Sequence, residues 1–140
     1  MSTGFDQLWS RLFDEAAKAR SNAYAPYSSF AVGCALIDES NTIHSGCNVE
    51  NAAYPQGWCA EASAIASMVT AGNRRIGRIL VIADRIGDGR FCTPCGGCRQ
   101  KILEFSGPDV EVMSCDPAGA HLKMMLGELI PAGFEFKKTS

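Results

Sequence analysis

Three cysteines and one glutamate have the types and spacing of a metal-dependent hydrolytic site. Cys59 lies two residues before Glu61, and Cys95 lies three residues before Cys98, directly after a proline. Cys95 and Cys98 fall on the first turn of a predicted helix, so their sulfurs can converge on one ion. Cys59 opens another predicted helix, and the positive N-terminal ends of both helices favour thiolates. Three thiolates leave one tetrahedral position of a zinc ion for water, which is typical of catalytic zinc.

The cysteine pattern is also compatible with two kinds of site that do no hydrolysis. A Cys-x-x-Cys pair taken alone is typical of a redox site. A zinc-stabilised binding module without catalysis would also use cysteine ligands, but it has no need of Glu61. A glutamate two residues after a third cysteine therefore favours catalysis over both alternatives.

The other four of the seven cysteines fit structural roles. Cys34, Cys47 and Cys115 lie in apolar, strand-like stretches, whereas Cys92 lies near the metal motif but off its spacing. An odd number of cysteines without an apparent secretory signal argues against a disulfide framework. No apolar run reaches the length of a transmembrane helix. We expect free thiols and a soluble, cytoplasmic protein.

The charge of the chain argues against polyanionic partners. The formal net charge is -2, which provides no general attraction to nucleic acid or to an anionic membrane. Five arginines fall between positions 74 and 90, and we interpret them as a solvated face rather than as a phosphate-binding or subunit-contact surface. We therefore expect neither nucleic acid nor a membrane as a partner.

The hydrophobic pattern predicts one α/β domain over residues 1–140. Its elements alternate between helical and strand-like periods. The predicted helices cover about 4–22, 59–71 and 96–105, with a short one ending near 130, and the predicted strands cover 30–37, 42–49, 79–83, 110–113 and 121–124. This order indicates a mixed sheet of about five strands with helices on both faces, antiparallel in the first hairpin and parallel across each helical crossover.

Four blocks of the sequence resemble the small nucleoside cytidine deaminases, and together they extend along nearly the whole chain. Cys-Ala-Glu at 59–61 with Pro-Cys-Gly-Gly-Cys-Arg-Gln at 94–100 is similar to the three-cysteine form of the zinc-deaminase signature. Residues 24–33, 46–54 and 129–134 resemble the family's first loop and strand, its ribose-binding segment and its C-terminal closing motif. The resemblance implies a three-layer α/β/α, cytidine-deaminase-like fold.

The resemblance also implies an activity, a cofactor and four site residues. The activity is hydrolytic deamination of cytidine and 2'-deoxycytidine to uridine and 2'-deoxyuridine by zinc-activated water, as part of pyrimidine salvage. One zinc per chain would be held by Cys59, Cys95 and Cys98, while Glu61 would carry the protons. The alternative substrate is a related aminopyrimidine nucleoside such as blasticidin S.

Further residues match the family's substrate contacts. Asn48 and Glu50 match the ribose contacts, and Phe30 matches the aromatic ring that stacks on the base. Backbone groups around Ala60 are expected to hold the pyrimidine. These four assignments rest on the resemblance, because each residue taken alone also fits an ordinary structural position.

The family resemblance extends to quaternary structure. Members are typically homotetramers with active sites shared between subunits, and Tyr54 and Phe134 match positions implicated in that sharing. We therefore expect a homo-oligomer, most simply a tetramer, that acts on a small nucleoside.

The sequence departs from the family beside the metal motif. Ala62 stands directly after Glu61, where most relatives have an arginine that offsets the negative charge of the thiolates. Arg99, or one of Arg85 and Arg90, is a candidate to replace that arginine. In addition, a bulky residue, Trp58, directly precedes the first predicted ligand and could narrow the pocket or pack between subunits.

Overall fold

The structure, a computed structural model, describes residues 5–136 as one mixed sheet with helices on both faces. The elements are α1 Gln7–Arg20, β1 Val32–Asp38, β2 Ile43–Cys47, a 3-10 turn Tyr54–Gln56, α2 Ala60–Thr70, β3 Ile76–Ala83, α3 Gly96–Glu104, β4 Glu111–Cys115, β5 His121–Met125 and α4 Leu126–Leu129. Residue 4, where the first helix is predicted to begin, lies outside the described residues. Over the described stretch, every helix is too short or too polar to cross a bilayer.

The strand order confirms the predicted mixed sheet and corrects one detail. The order is β2-β1-β3-β4-β5. β1 is antiparallel to both β2 and β3, β3 is parallel to β4, and β4 is antiparallel to β5. The strands that flank α3 pair in parallel, as predicted. The strands that flank α2, β2 and β3, also run parallel because both are antiparallel to β1, but they do not pair since β1 lies between them. The hairpin already places β1 beside β2, so the strand that follows α2 pairs with the free edge of β1.

β3 lies in the centre of the sheet and is buried on both faces, as its continuous apolar run predicts. Leu80 and Ile82 pack with Trp9 of α1 on one face. Ile79 and Val81 pack on the opposite face, in the core that includes residues of α2 and α3. This alternation explains why the run lacks the polar positions of a half-exposed strand.

Three of the arginines between positions 74 and 90 form ion pairs with carboxylates of this chain, which favours a structural role for them. The ion pairs are Arg78 with Asp6 and Glu111, Arg85 with Asp116, and Arg90 with Asp88. The Arg78 guanidinium also lies 5.1 Å from the centroid of the Trp9 ring.

A buried polar cluster ties the β1–β2 hairpin to the segment before β3. The Asp38 carboxylate lies 2.7 Å from Nε2 of His44 and accepts hydrogen bonds from the backbone N–H groups of Ser40 and Thr42. The Asn73 amide donates a further hydrogen bond of 2.7 Å to it. Burial alone would raise the pKa of Asp38, but these hydrogen bonds outweigh burial and lower the pKa.

We expect Asp38→Ala to lower the free energy of unfolding by about 3 kcal/mol, because it removes the acceptor of the buried His44 ring and of two partly buried backbone N–H groups. Urea denaturation at pH 7 measures this, with Asp14→Ala on the exposed face of α1 as the control. The pKa of Asp38 in the folded protein lies below the ordinary 3.8. The stability difference between wild type and Asp38→Ala should therefore be complete above pH 3.8 and shrink as the pH falls through the folded pKa. An equal effect of the two substitutions would contradict the role of the cluster.

Candidate active site

The three predicted metal ligands come together at the starts of two helices. The sulfurs of Cys59, Cys95 and Cys98 all lie within 4.8 Å of one another. Cys59 is the N-cap residue of α2 and Cys95 is the N-cap residue of α3, while Cys98 lies in the first turn of α3. An N-cap side chain lies beside N–H groups that have no partner within the helix. The local sequence therefore directs three sulfurs toward two positive helix ends.

The donor set fits zinc. Sulfur ligands lie about 2.3 Å from Zn²⁺, which places tetrahedral sulfurs roughly 3.8 Å apart, within the observed spacing. Thiolates are soft ligands that select zinc over magnesium or calcium. Among residues 5–136, the group has no fourth ligand, whether histidine, cysteine or carboxylate. Three protein ligands match an open catalytic site better than a closed structural one.

Hydrogen bonding within the cluster separates the acidities of its thiols. The hydrogen bond from Cys98 lowers the pKa of Cys59 to about 6, with smaller contributions from Cys95 and from the Lys101 ammonium, against the opposing effect of burial. The same hydrogen bond, together with burial, raises the pKa of Cys98. Cys59 is therefore the thiol that ionises first, and a bound cation would favour ionisation of all three.

Glu61 lies in the first turn of α2 and is almost completely buried, with 5% of its surface exposed. Burial raises the pKa of its carboxyl group to about 7, and the nearby Cys59 raises it further. The backbone N–H of Glu61 and the Lys101 ammonium act in the opposite direction. A carboxyl group with a pKa near neutrality can both accept and release a proton at physiological pH.

Glu61 and two cysteines of the cluster, Cys59 and Cys95, line a cavity of about 360 Å³, a volume suited to a small molecule. The wall combines polar groups with apolar side chains from several elements. It is formed by Val32, Asn48, Val49, Glu50, Tyr54, Gly57, Trp58, Cys59, Ala60, Glu61, Val81, Cys92, Thr93 and Cys95.

Asn48 joins the cavity wall to the start of β1. Its side-chain oxygen accepts a hydrogen bond of 2.9 Å from the backbone N–H of Val32, and its amide nitrogen donates one of 2.8 Å to the carbonyl of Phe30. Because a side-chain amide carries two N–H groups and two lone pairs, one donor and one acceptor position remain. Asn48 can therefore orient the chain and also contact a bound hydroxyl.

Glu50 holds the loop that precedes β1. Its carboxylate accepts hydrogen bonds from the backbone N–H groups of Tyr27 and Ser28, at 2.9 and 3.1 Å, and from the Ser28 hydroxyl. The bond from the Ser28 hydroxyl is the main cause that lowers the pKa of Glu50, and the backbone bonds add to it against burial. Glu50 is therefore ionised at neutral pH, and a carboxylate with about four acceptor positions has one left.

Backbone pairing on both sides holds the 48–50 segment in place. The Tyr24 N–H donates to the Asn48 carbonyl, and the Glu50 N–H donates back to Tyr24. On the other side, Val49 and Trp58 exchange N–H···O=C bonds of 2.9 and 2.8 Å. The Asn48 and Glu50 side chains are thus carried by an extended segment that is fixed before any ligand arrives.

The other predicted substrate contacts are divided between the cavity and the surface. Tyr54 and Ala60 line the cavity. Phe30 and Phe134 lie outside its wall: Phe30 is half-buried, and Phe134 is 69% exposed, with its carbonyl bonded to the Gln100 amide. A single chain therefore does not bring these two aromatic residues to the metal cluster, and their roles stay predictions.

Several cavity residues are missed by sequence reasoning. Val81 is predicted only as core, although its position on β3 also reaches the cavity wall. Cys92 stays outside the metal cluster, as its spacing predicts, but it lines the cavity together with Thr93. Their position directly before Pro94-Cys95 is the signal that could have found them. Trp58 lines the cavity as expected from its place beside Cys59 and is 58% exposed.

The arginines proposed to compensate for Ala62 are engaged elsewhere, so this expectation is wrong. Arg99 donates to the Pro94 carbonyl at 2.6 Å, to the Leu129 carbonyl at 2.8 Å and to the Thr93 hydroxyl at 3.0 Å. Arg99 therefore fastens the loop before α3 to the C-terminal segment. The contacts of the other two candidates are Arg85 with Asp116 and the Gly89 carbonyl, and Arg90 with Asp88.

A thiolate cluster with an open position, next to a buried carboxyl group in a small cavity, defines a zinc hydrolase site. The chain matches the family described as "Cytidine and deoxycytidylate deaminase zinc-binding region" over residues 7–114. This chain therefore belongs to the cytidine and deoxycytidylate deaminase family, whose zinc-binding region supplies the metal site.

Individual relatives agree with the family assignment. The cytidine deaminase of Sporosarcina psychrophila is 40% identical over 130 residues, which cover 93% of each chain. The cytidine deaminase of Mycobacterium tuberculosis is 37% identical over 129 residues, covering 92% of this chain and 91% of the relative. Among solved structures, the cytidine deaminase of Burkholderia pseudomallei superposes with a TM-score of 0.83 at 37% identity, covering 96% of this chain and 100% of the other.

Proposed function

We propose that this protein, as a single domain with one zinc per chain, hydrolyses cytidine and 2'-deoxycytidine to the corresponding uridines and ammonia. The observation that carries the proposal is the buried Glu61 carboxyl, which lines the same cavity as Cys59 and Cys95 of the cysteine cluster. Relatives named cytidine deaminase, at 37–40% identity over most of the chain, support the choice of substrate. Pyrimidine salvage is the cellular role that this reaction would serve.

The proposed mechanism uses Glu61 as the proton carrier. Zinc held by Cys59, Cys95 and Cys98 would supply a Lewis acid that makes water a nucleophile near neutral pH. Glu61 accepts a proton from the water whose oxygen bonds to C4, and it delivers that proton to ring N3. Glu61 then takes the proton of the new C4 hydroxyl and passes it to the exocyclic amine, so that the C4=O bond forms as the C4–N bond breaks and ammonia leaves. A pKa of about 7 suits a group that acts as a base and then as an acid.

The sugar and the base would be held by groups already fixed in the wall. The remaining N–H and lone pair of Asn48, and the remaining lone pair of Glu50, suit a ribose hydroxyl that both donates and accepts. We propose that the backbone around Ala60, at the start of α2, contacts the pyrimidine. Phe30 would stack on the base after a movement of its loop or with help from a neighbouring subunit.

We expect Glu50→Gln to raise the KM for cytidine by about tenfold or more, because a charged hydrogen bond to a sugar hydroxyl is lost. Steady-state kinetics on cytidine and on an analogue lacking the sugar hydroxyls measure this, and the variant should lose the preference for cytidine. Ser28→Ala is the control for loop position, since it removes one bond to Glu50 and the acceptor of the Phe30 N–H but keeps the carboxylate. An equal KM increase in Ser28→Ala would mean that Glu50 acts only by holding the loop.

We also propose that the protein is a homotetramer whose neighbouring subunits cover the cavity. Tyr54 is 75% exposed and Trp58 is 58% exposed, although both line the cavity. Phe134 and Phe136 form a further exposed aromatic pair. Light scattering after size exclusion should give four times the 15.0 kDa mass of the chain. A monomer with full activity would contradict the shared site.

The experiment that tests the proposed function is ultraviolet monitoring of cytidine and 2'-deoxycytidine incubated with zinc-loaded protein, with ammonia measured in parallel. We expect loss of the cytosine absorbance and stoichiometric ammonia. Conversion of another aminopyrimidine nucleoside such as blasticidin S, without conversion of cytidine, would overturn the substrate assignment. If one zinc is bound but no aminopyrimidine is converted, a zinc-stabilised binding module becomes the better account.

A further inference from the structure

The cysteine ligands carry more negative charge than the metal ion neutralises. Three thiolates on Zn²⁺ have a formal charge of -1, and the buried Glu61 adds to this when it ionises. The helix N-termini provide only partial positive charges. Position 62, next to Glu61 on α2, is a buried alanine and supplies no cation.

Lys101 is placed to supply that charge from α3. It lies four residues after Gly97, which stands between Cys95 and Cys98, and residues at this spacing share one helix face. A Cβ atom on Gly97 would lie 3.7 Å from Nζ of Lys101. The lysine is therefore folded back toward the turn that carries the two cysteines, with its ammonium beside Gly97.

Lys101 lies on α3, the helix whose N-cap is Cys95 and whose first turn carries Cys98. Within the part of the chain that the structure describes, Lys101 has no carboxylate within ion-pair distance. Its charge is therefore not neutralised by a neighbouring acid.

We propose that Lys101 is a charge-compensating residue of the zinc centre, and that its ammonium, folded over Gly97, strengthens the hold of the thiolate cluster on zinc. The residue acts through the ligands and need not contact the substrate. This role rests on the family's zinc site and on the geometry of α3, and it does not depend on which nucleoside is deaminated.

The test is the rate of zinc transfer from zinc-loaded protein to an excess of a colorimetric chelator at pH 7 and low salt. We expect Lys101→Met to release zinc roughly three- to tenfold faster than wild type, because a nearby charge at a solvent-exposed position has an effect of this order. Lys101→Arg should release zinc at close to the wild-type rate. In about 1 M salt the difference between wild type and Lys101→Met should shrink, since salt screens exposed charges.

Lys18→Met is the matched control, because Lys18 is an exposed lysine on α1, which covers the other face of the sheet. It removes the same charge and should release zinc at the wild-type rate. The proposal is overturned if Lys101→Met releases zinc as slowly as wild type, or if Lys101→Arg is as defective as Lys101→Met. It is also overturned if Lys18→Met has the same effect. Failure to convert cytidine would leave these metal-release results intact and would count against the proposed substrate alone.

Discussion

Glu61→Gln is expected to reduce cytidine turnover by at least about 100-fold while one zinc per chain stays bound, because positioned general acid–base groups contribute at least that much to catalysis. The glutamine keeps the size of the side chain and its place in the cavity wall, but it cannot accept a proton. Steady-state rates and zinc content, measured on the same preparation, check both parts of the expectation.

Stability provides an independent control on this variant. Burial raises the folded pKa of Glu61 from 4.5 to about 7, so the folded state loses stability as pH rises between these values and the carboxyl ionises. Protein stripped of metal should therefore be at least as stable in the Glu61→Gln form as in the wild type at pH 8. Glu15→Gln, on the exposed face of α1, should leave both turnover and stability unchanged. Near-normal turnover by Glu61→Gln would contradict its role as proton carrier.

Cys98→Ser is expected to weaken zinc binding on the order of 100-fold and to abolish turnover at limiting zinc. Cys98 is fully buried at the start of α3, and its sulfur belongs to the cluster of three. Apparent zinc-binding free energies of about 10–16 kcal/mol for four-ligand sites correspond to about 3 kcal/mol per ligand. Competition with a chelator of known affinity measures the loss.

Cys47→Ser is the control for this substitution, because Cys47 is a partly buried cysteine that lies on β2 and outside the cluster. It should keep one zinc at close to wild-type affinity. Unchanged zinc affinity in Cys98→Ser, or an equal loss in both variants, would contradict the assignment of the three sulfurs as the metal ligands.

The metal cluster could be predicted from the sequence because its geometry is local. Cys95 and Cys98 share one helical turn, and Cys59 opens its own helix two residues before Glu61. Each of these relationships follows from helix periodicity and capping. What the sequence leaves open is which two helix starts face each other, and in this chain the resemblance to a known family supplied that step.

The sheet shows where local pattern stops being informative. Alternation of apolar and polar residues with a period of two, and one continuous apolar run, predict the strands. The structure confirms these strands, with ends that differ by a few residues. Placing β3 against β1 rather than β2 depends on which strand edge remains free after the hairpin forms. That is a property of the assembled sheet, so the sequence predicts the parallel direction of β2 and β3 but not that β1 lies between them.

Long flexible side chains could not be placed from the sequence. Arg99 is adjacent to a metal ligand in sequence, yet its guanidinium binds the carbonyls of Pro94 and Leu129 instead of approaching the thiolates. Lys101, three residues beyond Cys98, folds back so that its ammonium lies beside Gly97. The direction of each side chain depends on acceptors in distant segments and on the space around it. Residue spacing in the sequence predicts neither.

The measurement that tests the central claim most directly is the mass of the product formed from cytidine by zinc-loaded protein in water enriched in ¹⁸O. Hydrolytic deamination predicts uridine with one heavy oxygen at C4, released with ammonia in equal amount. The Glu61→Gln protein should form this product at least about 100-fold more slowly. Unchanged cytidine with fully loaded zinc, or uridine without the heavy oxygen, would contradict the proposed hydrolytic reaction.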